Sequence, residues 1–276
     1  MSDKDRPDKN HQDKYQSLIR DLGSFKRLAI AFSGGADSSF LGAAAKEACD
    51  DVLAVTVRSE FQTRTDADLA LRMAQVLGLE HILLETRVLE DPNIKANPRE
   101  RCYFCKKHLF AMVKARAGEA GFSHLAHGAN LDDLKDFRPG FKAAREAGFL
   151  APLIDAGLTK NEIRNYSRDL GLETWNLPSQ SCLAARIPYG DPITREKLIR
   201  IETAESILHA LGFLSVRVRC HGDLARIELP PGEMDRFTAG GHGREIARQF
   251  REIGFHFTSL DLEGYTTGSL NRSPKA

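Results

Sequence analysis

The chain has 276 residues, 42% of them hydrophobic, enough to bury a substantial core and to divide into one large or two smaller domains; two are expected. Its 39 basic and 38 acidic side chains nearly cancel, which leaves no excess cation density for counterion release from a long polyanion and disfavours extended nucleic-acid binding. No apolar run approaches the roughly 20 residues that cross a bilayer, and the polar start Met1 to Tyr15 lacks the apolar core of a signal peptide, so no membrane partner is expected and the expected compartment is the cytoplasm.

Asp3 to Gln16 is dominated by Lys, Asp, Arg, Asn and Gln, and it reads as a frayed tail over residues 1–16, because so polar a segment cannot offset its ordering entropy by burial. Leu28 to Phe32 is a short continuous apolar run, the pattern of a strand buried on both faces of a parallel sheet. A glycine-bearing turn follows, then an Ala-rich helix over Ser39 to Ala48.

Val52 to Val57 repeats the strand pattern, and Thr65 to Leu77 answers with Leu69, Met73, Val76 and Leu77 on one helical face, closed by Gly78. Ile82 to Leu84, a helix around Leu109 to Val113 and a strand over Ser123 to His127 continue the alternation. Such a series predicts an α/β fold, a parallel sheet covered by helices, with ligands at the carboxyl ends of the strands.

Thr159 and Glu162 are spaced as a capping box that opens a helix, and Gly171 closes it. Pro178 to Pro192 is then a Pro- and Gly-punctuated loop, and Thr194 opens a long helix with Ile193 and Leu198 placed as a hydrophobic staple. Beyond it Val216, Val218 and Cys220 alternate with Arg217, Arg219 and His221, and Ala225, Ile227 and Leu229 repeat the pattern, which predicts antiparallel strands with the arginines facing outward. The boundary is expected in the loop after Trp175, giving a nucleotide domain over 17–177 and a smaller α+β domain over 178–276.

Ser33-Gly34-Gly35-Ala36-Asp37-Ser38, followed by Ser39, sits between the first strand and its helix, where backbone N–H groups and the helix dipole favour a phosphate or pyrophosphate. The glycines let backbone approach the anion, and the serines add hydroxyl donors. A bare Gly-Gly pair is usually only a turn; the whole run at this junction points to a nucleotide, and the lack of a following Gly-Lys-Ser or Gly-Lys-Thr excludes a Walker loop.

This run resembles the signature of the PP-loop ATP pyrophosphatases, a class with a Rossmann-like parallel-sheet domain that splits ATP between the α- and β-phosphates. The resemblance implies that Ser33, Gly34, Gly35, Asp37 and Ser38, with Ser39, hold the pyrophosphate end and its Mg2+. It also implies that Ala29 to Phe32 and Val55 to Ser59, among them Ala31, Phe32, Thr56 and Ser59, lie against the adenosine.

Five cysteines, Cys49, Cys102, Cys105, Cys182 and Cys220, are an odd number in a chain of cytosolic character, which favours metal binding or chemistry over disulfides. Asn97-Pro98 followed by Arg101-Cys102-Tyr103-Phe104-Cys105-Lys106 resembles a stretch of the LarE-type ATP-dependent sacrificial sulfur transferases. His127-Gly128-Ala129-Asn130-Leu131-Asp132-Asp133 with Asp136 to Gly140 resembles their second nucleotide-side motif, which brings in Gly128, Asn130, Asp132 and Arg138. Pro178 to Gly190, which carries Cys182 and Arg186, is the most specific of the three, and Gly268 to Asn271 also fits, so the resemblance spans residues 24 to 272.

That family adenylates pyridinium-3,5-biscarboxylic acid mononucleotide and converts its carboxylates to thiocarboxylates on the route to the nickel-pincer nucleotide cofactor. In its single-cysteine branch the residue matching Cys182 attacks the adenylate and gives up its own sulfur, becoming dehydroalanine. In its three-cysteine branch Cys102, Cys105 and Cys182 would together hold three irons of a 4Fe-4S cluster that carries an extra sulfide. The substrate phosphate would meet Arg217 and Arg219, with Arg226 near them, Arg186 beside Cys182, and Glu205 or Glu202 orienting them. The family also implies a homo-oligomer, often a hexamer. Two other readings stay open, a PP-loop tRNA thiolase and a non-enzymatic metal or nucleotide sensor; the near-neutral charge weighs against the first.

Overall fold

The computed structural model describes residues 9–135, 139–178 and 181–266. In chain order the elements are α1 (Lys9–Gly23), β1 (Arg27–Ala31), α2 (Ala36–Ala48), β2 (Asp51–Arg58), α3 (Arg64–Val76), β3 (Glu80–Glu85), α4 (Pro92–Lys95), α5 (Arg101–Glu119), β4 (His124–His127) and α6 (Gly140–Ala147). They continue as α7 (Pro152–Asp155), α8 (Lys160–Asp169), α9 (Arg195–Ala210), β5 (Arg217–His221), β6 (Leu224–Glu228), α10 (Pro231–Ala239), α11 (Gly243–Glu252) and β7 (Phe257–Leu260). The chain divides into two compact units, residues 1–59, 64–86 and 102–179 in the first, and residues 60–63, 87–101 and 180–276 in the second. The second unit therefore draws two short segments from within the stretch that a contiguous boundary after residue 177 would assign to the first.

The first unit is built on a parallel sheet of order β3-β2-β1-β4. Alternate residues of β1 serve opposite faces: Leu28 and Ile30 pack with Phe40, Leu41, Val52 and Met73, whereas Ala29 packs with Leu53, Val55, Phe110, Val113 and Leu125. Burial on both sides is why the strand is apolar throughout. The helix α5 is longer than Leu109 to Val113 suggested, because Arg101 N–H already bonds the Pro98 carbonyl, so Cys102 and Cys105 lie in its first turns and not ahead of it.

Helix α1 begins at Lys9, inside the segment read as a tail. Its polar composition hides an apolar stripe, Tyr15, Leu18 and Leu22, at helical spacing, and Leu18 and Leu22 are fully buried. The Tyr15 ring lies tilted against Phe40 and Tyr166, with centroids 6.0 and 5.3 Å away, and Lys14 bonds Glu162 at 2.7 Å, so the stripe has a core to dock on.

In the second unit β5 and β6 form an antiparallel hairpin through Gly222, whose φ is +62°, and β7 adds in parallel beside β6. The sheet is thus mixed and not purely antiparallel. The helix α9 starts at Thr194, whose hydroxyl accepts from Lys197 N–H at 3.3 Å. Contrary to the outward facing expected, Arg217 and Arg219 are 5% and 6% exposed. The alternation fails as a guide because β5 is covered on both faces, and the charge of Arg219 is met by the equally buried Glu228 at 2.7 Å.

Candidate active site

The turn Ser33 to Gly35 leaves the carboxyl end of β1, an inner strand of the first unit's sheet, and enters α2. Gly34 has φ +72°, and a Cβ there would lie 2.5 Å from Ala70 Cα, so α3 packs directly on the turn and only glycine fits. Gly128, just after β4, is equally constrained: its Cβ would meet Ser38 N at 2.9 Å. Gly35, by contrast, is not crowded: a Cβ there would meet Ser33 Oγ at an ordinary contact distance of 3.5 Å.

The hydroxyls divide the work. Ser38 Oγ lies 3.0 Å from Ser33 Oγ and donates to the Gly35 carbonyl at 3.2 Å. Ser39 is fully buried and donates to the Gly34 carbonyl at 3.1 Å, so it braces the turn from beneath instead of facing a ligand.

Asp37, in the first turn of α2, accepts from Lys160 Nζ at 2.5 Å through Oδ2, while among the described residues its buried Oδ1 meets no donor in hydrogen-bonding geometry, with the Asn130 amide nearby. Burial raises its carboxyl above the ordinary range, and the Lys160 ammonium opposes that rise. Lys160 was not singled out in the sequence, although it directly follows Thr159, the N-cap of the capping box that opens α8.

Its position is set by the loop after β4. Asn130 Oδ1 accepts from Asp132 N–H at 3.0 Å and Asp133 N–H at 3.3 Å, and Asp132 Oδ2 accepts from Lys160 N–H at 2.9 Å. Asn130 and Asp132 thus act as braces that aim α8 at Asp37. Arg138 and its neighbours Asp136 and Phe137 lie outside the described residues, as do Gly268 to Asn271.

On the adenosine side, Phe32 spends its backbone locally, N–H to the Val55 carbonyl at 2.9 Å and C=O to Thr56 Oγ1 at 2.8 Å, and its ring belongs to the core. Since the single Thr56 hydrogen is donated there, His81 Nε2, 2.8 Å from the same oxygen, is assigned as the N–H donor to Thr56. Burial lowers the His81 pKa, in keeping with that neutral tautomer. Ser59 is buried at the end of β2, and Ala31 is half-buried.

A buried carboxylate oxygen without a hydrogen bond, on a turn lined with backbone amides and hydroxyls, is the donor a Mg2+ bound to phosphate requires, so Asp37 fits that ion. The cysteines form no disulfide. Cys102 and Cys105, half-buried and three residues apart on α5, share a helix face and supply two thiols of the type an iron–sulfur cluster takes, with Cys102 Sγ 3.4 Å from where a Cβ on Gly140 would sit. Among the described residues no group of three or more His, Cys, Asp and Glu side chains is arranged to hold a metal.

In the second unit Cys182 is exposed and caps a short 3-10 turn, Leu183–Arg186. Arg186 grips that turn: one guanidinium nitrogen donates to the Ser181 carbonyl at 2.5 Å, to Ser181 Oγ at 2.7 Å and to the Cys182 carbonyl at 3.0 Å. Its other two nitrogens form a bidentate pair with Glu205 at 3.0 and 3.1 Å. Arg186 is therefore taken up by the protein itself, which answers its assignment to a substrate phosphate with a different role. Glu205, one of the two acidic candidates on α9, also accepts Val218 N–H at 2.9 Å.

Arg219 bonds Glu228 at 2.7 Å and the Ala185 carbonyl at 2.6 Å; Arg226 takes the second Glu228 oxygen at 2.9 Å. Arg217 bonds the Val216 carbonyl and lies over the Tyr265 ring, and its burial, with the nearby Arg186 charge, lowers its pKa. The result is a dense, mostly buried arginine cluster with two carboxylates at its heart.

Comparison with known proteins supplies a further set of observations. Residues 15–98 match the family model described as asparagine synthase. The chain is 40% identical, over 95% of its length and 98% of the relative, to an uncharacterized protein of Synechocystis sp.. It is 34% identical, over 94% of both chains, to the pyridinium-3,5-bisthiocarboxylic acid mononucleotide synthase of Lactiplantibacillus plantarum. Similarity to the tRNA-specific 2-thiouridylase MnmA of Desulforamulus reducens, 27% identity, covers 55% of this chain and 53% of that protein.

Proposed function

The chain belongs to the LarE-type ATP-dependent sulfur transferases of the PP-loop class, and on that premise we propose that it adenylates a carboxylate of pyridinium-3,5-biscarboxylic acid mononucleotide and replaces the AMP by sulfur, a step of nickel-pincer nucleotide cofactor biosynthesis. The observation that carries the proposal is the turn at the end of β1, where Gly34 and Gly35 keep the backbone bare and Asp37 Oδ1 waits without a partner. Full-length similarity to the mononucleotide synthase favours this acceptor over tRNA, since the thiouridylase matches only about half of the chain.

In the first step a carboxylate oxygen of the acceptor attacks the α-phosphorus of ATP, and pyrophosphate leaves. Ser33, Gly34, Gly35 and Ser38 receive the pyrophosphate at the start of α2, where amide hydrogens and the helix dipole meet its charge. Asp37 would hold Mg2+, which would neutralise charge on the phosphates. Thr56, with Ala31, Phe32, Ser59, Gly128 and Asn130, frames the adenosine.

In the second step a sulfur nucleophile attacks the carbonyl carbon and AMP leaves. Cys182, exposed at its turn, delivers that sulfur. If the sulfur is its own, the thioester that forms loses the Cβ–Sγ bond as the Cα proton is removed, leaving a thiocarboxylate and dehydroalanine. In the alternative, Cys102, Cys105 and Cys182 would hold a 4Fe-4S cluster, and the sulfur delivered would be sulfide and not the cysteine's own. Of the two arginines assigned to the acceptor phosphate, Arg217 meets it, since Arg219 is committed to Glu228 and the Ala185 carbonyl.

Incubation with ATP, Mg2+ and the biscarboxylate mononucleotide tests the reading. AMP and pyrophosphate released in proportion to the mononucleotide supports it; release of ADP and orthophosphate, or turnover with tRNA in its place, would overturn it.

A further inference from the structure

Among the described residues Asn97 is the single non-glycine residue with positive φ, +57°, and it is fully buried. Its amide nitrogen donates to the carbonyls of Pro188 at 2.7 Å and Asp191 at 2.9 Å, with Ile187 at 3.4 Å. Its own backbone carbonyl accepts Gly190 N–H at 2.9 Å. Its amide oxygen accepts from Arg101, which is 4% exposed and whose same nitrogen donates to the Ala184 carbonyl at 3.0 Å. The Arg101 guanidinium also lies over the Tyr189 ring, 5.6 Å from its centroid.

Apart from the bond between Arg101 and Asn97 themselves, these bonds end on one segment, residues 184–191, that follows Cys182 and has no strand to hold it. Arg186 and Arg219 take the carbonyls of Ser181, Cys182 and Ala185, and Asn97 and Arg101 take those of Ala184, Pro188 and Asp191. Leu183 N–H, for its part, bonds the Phe61 carbonyl at 2.8 Å. A buried carbonyl left unmet is costly, so each such bond fixes the backbone as firmly as a ladder bond would.

We infer that Asn97 and Arg101 are positioning residues for Cys182: together they clamp the loop that carries it, so that the thiol is presented from a rigid turn. This rests on the reading of Cys182 as the residue that delivers sulfur. Neither residue touches the thiol; they act through the carbonyls of Ala184 and of residues 187–191. The alternative is that Asn97 is present only because asparagine tolerates positive φ at a tight bend.

Asn97→Gly separates the two, since glycine adopts the same backbone at no steric cost while the amide is lost. If the clamp is real, amide hydrogens of residues 183–191 exchange about tenfold faster or more in Asn97→Gly while those of α9 stay protected. The single-turnover rate of sulfur transfer then falls by about tenfold to a hundredfold, as expected for a misplaced reacting group, with KM for ATP and for the acceptor unchanged and AMP formation intact.

Unchanged exchange would overturn the clamp, and faster exchange with undiminished transfer would overturn its positioning role. A parallel loss of AMP formation would reduce the effect to general unfolding and also overturn it. Because Asn97→Gly could weaken the unit as a whole, Arg101→Lys and Arg101→Met serve as the second pair. Lysine keeps the charge and reaches one of the two acceptors, so it should restore transfer severalfold over methionine; equal activities would count against the inference. The exchange measurement needs no substrate, so a wild-type chain that makes AMP without transferring sulfur would strike the proposed chemistry while loop protection still decides the clamp.

Discussion

Lys160 Nζ lies 2.5 Å from Asp37 Oδ2, although 123 residues separate the two in the chain, and among the described residues the other, buried oxygen of Asp37 has no hydrogen bond. Burial lifts the Asp37 carboxyl and the Lys160 ammonium holds it down. A carboxyl whose folded pKa exceeds its unfolded value stabilises the fold at low pH and loses that contribution as pH rises through the folded pKa. Removing the ammonium in Lys160→Met lifts the carboxyl further and moves that window upward. If ionised Asp37 holds Mg2+, the acid limb of the pH profile for AMP formation shifts to higher pH in Lys160→Met; an unmoved limb would show that Asp37 does not govern it.

Asp37→Ala should abolish AMP and pyrophosphate formation while the far-ultraviolet circular dichroism stays that of the wild type. The side chain makes its one ion pair at the edge of the fold's phosphate turn, and the buried sheet beneath does not depend on it.

The two glycines of the turn should separate fold from function. Gly34→Ala combines positive φ with a 2.5 Å approach to the α3 backbone, so it should cost about 1–3 kcal/mol of stability in denaturant unfolding. Gly35→Ala keeps an ordinary φ of -73° and brings its Cβ only into ordinary contact with Ser33 Oγ at 3.5 Å, so it should leave stability nearly unchanged, and any loss of ATP affinity there, measured by calorimetry, reports the phosphate contact itself.

Arg219→Ala should destabilise by about 3–5 kcal/mol, because it takes a guanidinium partner from the Glu228 carboxylate, which is 1% exposed. Arg219→Ala combined with Glu228→Gln should recover part of that loss. Acceptor binding is therefore better probed with Arg217→Lys, which should weaken the mononucleotide by about 1.5–3 kcal/mol with ATP affinity unchanged. Equal acceptor affinity in wild type and variant would place the phosphate site elsewhere.

The source of sulfur is readable by mass. Loss of about 34 Da at Cys182 after turnover, the mass of H2S, marks the residue as the donor. An unchanged Cys182 after several turnovers, with added sulfide required, marks the cluster, and Cys102→Ala or Cys105→Ala should then abolish iron binding. Cys182→Ala should abolish transfer under both, with AMP formation retained in all three variants.

The parallel sheet, the glycine turn and the cysteine motifs were legible in the sequence because each is local: a strand buried on both faces must be apolar, and a phosphate turn must be bare of side chains. The capping box at Thr159 and the N-cap at Thr194 were legible for the same reason. What composition hid was α1, whose three apolar contacts are outnumbered by polar neighbours and count only once Phe40 and Tyr166 are there to receive them.

Partnerships across the chain were decided by the tertiary structure alone. Alternation along β5 sent Arg217 and Arg219 outward, and for Arg219 only the arrival of Glu228 makes burial tolerable. Lys160 finds Asp37, and Asn97 finds the carbonyls of residues 187–191, across 123 and about 90 residues respectively, distances over which no periodicity carries information. Sequence determined which chemistry this chain carries, since that depends on residue types at short spacing; tertiary structure decided which charges are spent on holding the site together, since a charge can be buried only where a distant partner meets it.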